Sequence, residues 1–249
     1  MIINDNRFKE KPHGNAIIWR YMSLEKFLDL LINSQLFFSN LNRLTDKYEG
    51  TVYDKNFKSE VKAIMESEFN GFDEIDLNHE RARVEILKNF TLVNCWTMRR
   101  HESYALWKIY GGNNSSIAIK STVSSLKDSI NSTEQEFNED IFMSKVKYQQ
   151  KLDDSFSRID ATITKKPFYD FESEIRLIIL NYNKSEGGYK IPYDISKGRT
   201  VKLNLEKLIN EIYISPFLKK QYHQNLKHII QKINPNLTKK FMESEILDN

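Results

Sequence analysis

Four consecutive residues, Leu177, Ile178, Ile179 and Leu180, most narrow what this chain can become. In an extended strand successive side chains point to opposite faces, so an unbroken apolar run leaves neither face suited to water. The run therefore reads as a strand buried on both sides, at the centre of a layered domain. The residues leading into it are different. In FYDFESEIR, residues 168–176, alternation puts Glu172, Glu174 and Arg176 on one face and Phe171, Ser173 and Ile175 on the other. A charged mouth on such a strand is either a solvated end, with Arg176 pairing locally to the glutamates, or the border of a cleft. In a cleft, paired carboxylates can hold a sugar hydroxyl and stabilise a developing cation.

The rest of the chain supplies elements to surround that strand. AIIWR (16–20) reads as a strand, and Ser23 as the N-cap of a helix with apolar Leu24, Phe27, Leu28, Leu31 and Ile32. QLFFSN follows as a second strand, and then a turn-rich segment, NRLTDKYEG, leads to a charged helical insertion at about 54–89. FTLVNCWT (90–97) has the β-branched and aromatic content of a strand, and SYALWKIYGG that of a short helix closed by glycine. SIAIKS, KVKYQ and EIYIS read as further strands, with a helix starting near the serines at 121–125. FYDFESEIRLIIL (168–180) supplies a strand for which GGYKIPYDI is expected to form a hairpin partner, and QYHQNLKHIIQKI reads as an amphipathic helix. No segment has linker composition. The expectation is one α+β domain over residues 1–249, with a split, mainly antiparallel sheet, flanking helices and the helical insertion.

Composition removes several function classes. The 40% hydrophobic and 12% aromatic content of the 249 residues opposes disorder. A net charge of +3, from 37 basic and 34 acidic residues, neither requires nor excludes nucleic acid. One cysteine, Cys95, rules out an internal disulfide and a multi-cysteine zinc site. His223 and His228 are five apart, not the four that places two imidazoles on one helix face, and no metal is expected. The opening MIINDNRFKEKPHGN has no apolar core for a secretory signal, and no apolar run is long enough for a membrane span, so a cytoplasmic chain without a membrane partner is expected.

Two further groups admit two readings each. Arg20, between Trp19 and Tyr21, is either core trim with a snorkelling cation or a clamp for pyrophosphate or a nucleobase. Cys95, Trp96 and Thr97, followed by Trp107 and Tyr110, read as core filling around an inert buried thiol, since no histidine and orienting carboxylate accompany Cys95.

In order along the chain, WRYMSLEKFLDLL, LFFSN, LTDKYEG, CWT, ALWKIYGG, SIAIK, ESEIR and EIYIS resemble a large bacterial family, a domain of unknown function. That family carries an aromatic-Arg-Tyr opening, an FNDPFE-like loop, a Cys-aromatic-Ser strand end, a Met-Trp…Tyr…Gly helix and a Glu-x-Glu-x-Arg strand. It is in turn similar to the ADP-ribosyltransferase superfamily, especially the DNA-modifying toxins. The resemblance implies an ADP-ribosyltransferase-like fold and NAD-dependent mono-ADP-ribosyl transfer to nucleic acid or protein, in a toxin or antiviral effector with an antitoxin or regulatory partner. It implies a triad of Arg20, Thr97 and Glu174, with Glu172 positioning the acceptor, and Arg20, Tyr21, Trp107, Tyr110 and Arg176 around NAD. Thr97 stands where serine is usual, and Met98 and Arg99 do not complete the Ser-Thr-Ser pattern. The alternatives are a non-catalytic NAD or nucleotide sensor, and a nucleic-acid-binding effector using Lys165, Lys166 and the lysines of the terminal helix.

Overall fold

The computed structural model describes residues 1–44 (apart from 5 and 7), 88–136 (apart from 113 and 114), 139–150, 158–180, 183–185, 188–190 and 198–246. The TDKYEG turn and, save for its last two residues, the helical insertion at 54–89 lie outside the described residues. β1 (Ile17–Ser23) runs into α1 (Leu24–Asn33), whose apolar stripe buries Phe27, Leu30 and Leu31. Ser23 occupies the N-cap in extended conformation without a side-chain capping bond. The helix ends at Ser34, whose left-handed backbone (φ 51°) lets its N–H return to the Leu30 carbonyl. β2 (Gln35–Asn40), β3 (Thr91–Thr97), α2 (Tyr104–Tyr110), β4 (Ser116–Thr122) and α3 (Val123–Asn131) fall where periodicity places them. The α3 cap is Thr122, whose hydroxyl accepts from the Ser125 N–H.

After these come β5 (Ile141–Lys145), β6 (Lys147–Tyr148), α4 (Arg158–Ala161) and β7 (Thr164–Lys165). A 3₁₀ turn (Pro167–Glu172) leads to β8 (Glu174–Leu180), followed by β9 (Asn183–Ser185) and β10 (Gly188–Lys190). β11 (Arg199–Lys202), α5 (Leu205–Leu208), β12 (Glu211–Ile214), α6 (Lys220–Ile233) and β13 (Phe241–Met242) complete the chain. Three expectations are corrected. KVKYQ is not one strand: IFMSK, upstream, pairs with β8, and at Val146 the chain changes neighbours, its N–H bonding Glu174 O and the next bonding Ile163 O. β10 pairs with β9 and not with β8, because β3 and β5 already occupy both edges of β8. Glu172 is not on the strand at all; it ends the 3₁₀ turn, and Ser173 intervenes in the left-handed region at φ 44°.

The fold is mixed, with several helices on a mostly antiparallel, open sheet that has nine strands among the described residues. β8 lies between β3 and β5, paired with β3 along its whole length from Thr91↔Leu180 to Thr97↔Glu174. On its other edge β3 is shared. β2 pairs with it at Leu92 and Val93, and β1 only at Thr97, through Trp19. β2 continues to β11, while β1 continues through β4 and β12 to the parallel β13. The two branches part over Asn94, Cys95 and Trp96.

Both faces of the sheet are covered, as the Leu177–Leu180 run requires. On one face Ile18, Trp96, Leu177 and Ile179 pack with Phe27, Leu30, Leu126 and Ile230 from the helices. On the other, Ile178 and Leu180 pack with Phe8 and Phe142, while Trp19 and Tyr21 pack with Leu106 and Trp107 of α2. Each such fully buried side chain contributes roughly 1.5–3 kcal/mol, so the layering is strongly specified. No described helix is long and apolar enough to cross a membrane.

Candidate functional site

A strand edge without a neighbour leaves backbone groups to be satisfied by other means. Where β1 and β2 part, side chains supply them. Arg20 Nη1 donates to the Cys95 carbonyl at 3.0 Å, Asn94 Nδ2 donates to Phe37 O at 2.9 Å, and Trp96 Nε1 donates to Asn94 Oδ1 at 2.8 Å. Around this parting lies a cleft of about 520 Å³, lined at one end by Lys26, Asp29 and Gln35 and at the other by Tyr110, Glu172 and Glu174.

Arg20, Thr97 and Glu174, far apart in sequence, all line this cleft, as do Tyr21 and Cys95. They do not all leave the sheet on one side. Thr97 is in register with Trp19 and Glu174, so those three share a face. Arg20 alternates with Trp19 and leaves β1 on the α1 face, its guanidinium 5.8 Å from the Trp96 ring centroid. The parting of the strands is what lets both sets border one space. Burial lowers the Arg20 pKa from its ordinary value, yet a guanidinium keeps its proton at any physiological pH. Among the described residues no carboxylate forms an ion pair with Arg20, so the cleft contains a cation with spare donors.

The opposite end is a buried ionic cluster. Glu172 and Glu174 are each 6% exposed and Arg176 is 0% exposed, which overturns the solvated strand end. Arg176 donates through Nε to Glu174 Oε1 at 2.7 Å, through Nη2 to Oε2 at 3.3 Å, and through Nη1 to Thr162 O at 2.6 Å. Lys165 Nζ lies 2.9 Å from Glu174 Oε2 and 2.5 Å from Glu172 Oε2, and Tyr110 donates to Glu172 Oε1 at 2.7 Å. Burial alone pushes the Glu174 carboxyl up, but the Arg176 and Lys165 charges together outweigh it and hold it down at about 2. The Arg176 guanidinium is held up by Glu174 against the effect of its burial. Burial, then the bond to Glu172, keep the Tyr110 phenol neutral.

Local backbone geometry brings Glu172 to this cluster. The left-handed Ser173 reverses the chain between the 3₁₀ turn and β8, and its N–H bonds the Asp170 carbonyl. Thr97 fastens the turn from the facing strand, its hydroxyl donating to the Glu172 carbonyl. Met98 N–H adds a bond to Ser173 O at 2.8 Å.

Two residues expected around a ligand stand behind the cleft wall. Trp107 is buried, edge-on to Tyr21 with centroids 5.0 Å apart, and its Nε1 donates to Glu102 Oε2 at 3.0 Å. Arg176 is fully buried behind Glu174 and donates to its carboxylate. Cys95 corrects the expectation of a core thiol: it is half-buried and borders the cleft. Burial first, and then the Glu174 charge, push its pKa well up, so it is a thiol and a poor nucleophile. Lys165, read above as a nucleic-acid contact, is 9% exposed and engaged with both glutamates.

Sequence reasoning missed Lys165 and Tyr148 as site residues. Tyr148 accepts the Glu174 N–H through its hydroxyl at 2.7 Å. Both residues sit in two-residue strands, too short for any periodicity to show which way they point. Chemically, the cleft offers carboxylate acceptors at one end and an uncompensated guanidinium at the parting. Among the described residues no group of three or more His, Cys, Asp or Glu side chains is gathered as for a metal ion. Compared with known proteins, the chain matches no protein-family model, no curated protein and no solved structure.

Proposed function

We propose that this cleft binds NAD and transfers its ADP-ribosyl group to a macromolecular acceptor, nucleic acid or protein, on an ADP-ribosyltransferase-like fold. One observation carries the reading: Arg20, Thr97 and Glu174, from three different strands, border a single cleft. Arg20 holds the pyrophosphate, for which a planar guanidinium with free donors is suited. Glu174 accepts from the nicotinamide ribose and stabilises the oxocarbenium-like state as the glycosidic bond breaks. Glu172, one short turn away, orients the acceptor, with Tyr110 beside it and Tyr21 on the wall. Such a chemistry suits a bacterial toxin or antiviral effector acting in the cytoplasm, restrained by an antitoxin or regulatory partner.

A second reading draws on a specific observation. Both carboxylates are gripped by Lys165, and Glu174 by Arg176 as well, which favours a site that senses NAD or another nucleotide without cleaving it. Incubating the purified protein with NAD labelled in its adenylate moiety, with and without cell extract, separates the readings. Label passing to protein or nucleic acid supports transfer and names the acceptor class. Calorimetric NAD binding without transfer or nicotinamide release supports the sensor. No binding and no transfer refutes both.

A further inference from the structure

We propose that Lys165 is the positioning residue of this cleft: its ammonium, seated between Glu172 and Glu174, holds the two carboxylates side by side, presenting paired acceptors to adjacent ribose hydroxyls. The identity of the ligand rests on the NAD reading; the role of Lys165 within the cluster does not.

The geometry carries the inference. Lys165 Nζ reaches Glu172 Oε2 and Glu174 Oε2, one oxygen of each carboxylate, and its ammonium lies 5.1 Å from the Tyr169 ring centroid. Its short strand is pinned to β6, where Tyr148↔Lys165 are in register and Gln149 N–H bonds Lys165 O. The ammonium is therefore placed by backbone on one side and aromatic contact on the other. Among the described residues, the titratable groups facing the pair are Tyr110 from α2, Cys95 from β3, Tyr148 from β6, Lys165 from β7 and Arg176 from β8. The tyrosines and the thiol are neutral, so among the described residues the charges at the pair are those of Lys165 and Arg176 facing the two glutamates. Without Lys165, the two buried carboxylates would have among these residues only the Arg176 guanidinium. Two carboxylates in one buried site lacking a compensating cation drive one of them to bind a proton. A protonated partner destroys the paired acceptor.

The test replaces Lys165 by methionine, which keeps length and removes charge, and by arginine, which keeps charge. Melting temperature is followed from pH 5.5 to 8, together with the pH profile of NAD turnover. In Lys165→Met one carboxyl has a folded-state pKa raised above its unfolded value. Its stabilising proton is held at low pH and lost as pH rises, so the variant melts progressively lower toward pH 8 relative to the native protein. The acid limb of turnover moves up by at least about one pH unit, as expected for a carboxyl losing its cation. Lys165→Arg restores both profiles. If Lys165→Met does not fold, Lys165→Met with Glu172→Gln, which restores charge balance, is expected to fold with a flat pH response. A Lys165→Met protein that is merely less stable, with native pH dependence, overturns the proposal, as does failure of the balanced double variant to fold. A native protein that neither binds nor turns over NAD refutes the functional reading, while the melting series still decides the role of Lys165.

Discussion

Glu174→Gln isolates the carboxylate that the fold holds most tightly. The change keeps the side-chain shape but sets an amide against donors from Arg176 and Lys165, whose distances to the native oxygens are 2.7, 3.3 and 2.9 Å. Two routes to the magnitude agree. Lowering a fully buried carboxyl from 4.5 to about 2 corresponds to about 3 kcal/mol of stability at neutral pH. Breaking a buried ion pair by removing one partner costs about 3–5 kcal/mol. For a chain of this size that is a fall in melting temperature of roughly 6–12 °C. The sign with pH follows. A depressed folded-state pKa gives stability that is complete above the unfolded value of about 4.5 and is lost as pH falls toward about 2. The native protein is therefore expected to lose stability steeply through that window, and Glu174→Gln to lose much less, so that the two melting curves converge in acid. Calorimetric melting of both proteins at pH 7, 4 and 3 is the assay. A variant that melts within a degree of the native protein at pH 7, or a gap that widens in acid, refutes the reasoning.

Arg20→Met is expected to weaken NAD binding at least tenfold by calorimetry, while lowering stability by only about 1–3 kcal/mol for the Cys95 carbonyl left unpaired; unchanged affinity would remove Arg20 from the ligand site. Cys95, the only cysteine, is expected to react with iodoacetamide at pH 8 far more slowly than a free thiol, and Cys95→Ala to retain NAD turnover. Fast alkylation accompanied by loss of turnover would contradict the raised thiol pKa. Ser173→Gly is expected to hold or raise the melting temperature, and Ser173→Val to lower it by about 1–3 kcal/mol equivalent, because the left-handed backbone penalises a β-branched residue most. Equal melting of the two would show that the turn relaxes.

What the sequence made legible follows from which residues carry a repeating signal. Leu177 to Leu180 announced a central strand because both faces are apolar, and β8 is buried from Glu174 to Leu180. The helices over 24–33 and 220–233 were readable because each buries a stripe at helical spacing. The pairing of IFMSK with β8 was obscured by the neighbouring KVKYQ, which alternates equally well but changes partners at Val146. Glu172 was correctly joined to Glu174 for the wrong reason. Alternation along one strand does not unite them; the left-handed Ser173 and the Thr97 latch do, and a serine carries no sequence signal for positive φ. Lys165 was illegible as a site residue because its backbone is placed by a two-residue strand pairing, β6 with β7, which no local pattern encodes.

The ionic cluster also bears on why such a fold would hold charge at its centre. Replacing a buried ion pair by apolar side chains of similar volume is often neutral or stabilising, so Lys165, Glu172, Glu174 and Arg176 are poorly explained by stability alone. Their position offers a better reason. β8 is hydrocarbon from Leu177 onward and ionic only at its start, where Glu174 lines the cleft and Arg176 stands behind it. Arg20 stands at the parting of β1 and β2, where a missing backbone neighbour is replaced by its side chain, which donates to the Cys95 carbonyl. A cluster with carboxylate acceptors and a guanidinium that forms no ion pair among the described residues therefore border one space with different demands: the first takes hydroxyls, the second an anion. A ligand with both features joined by a few bonds, as a ribose joined to a phosphate has, satisfies both ends at once, whereas an inorganic anion or a free sugar satisfies only one.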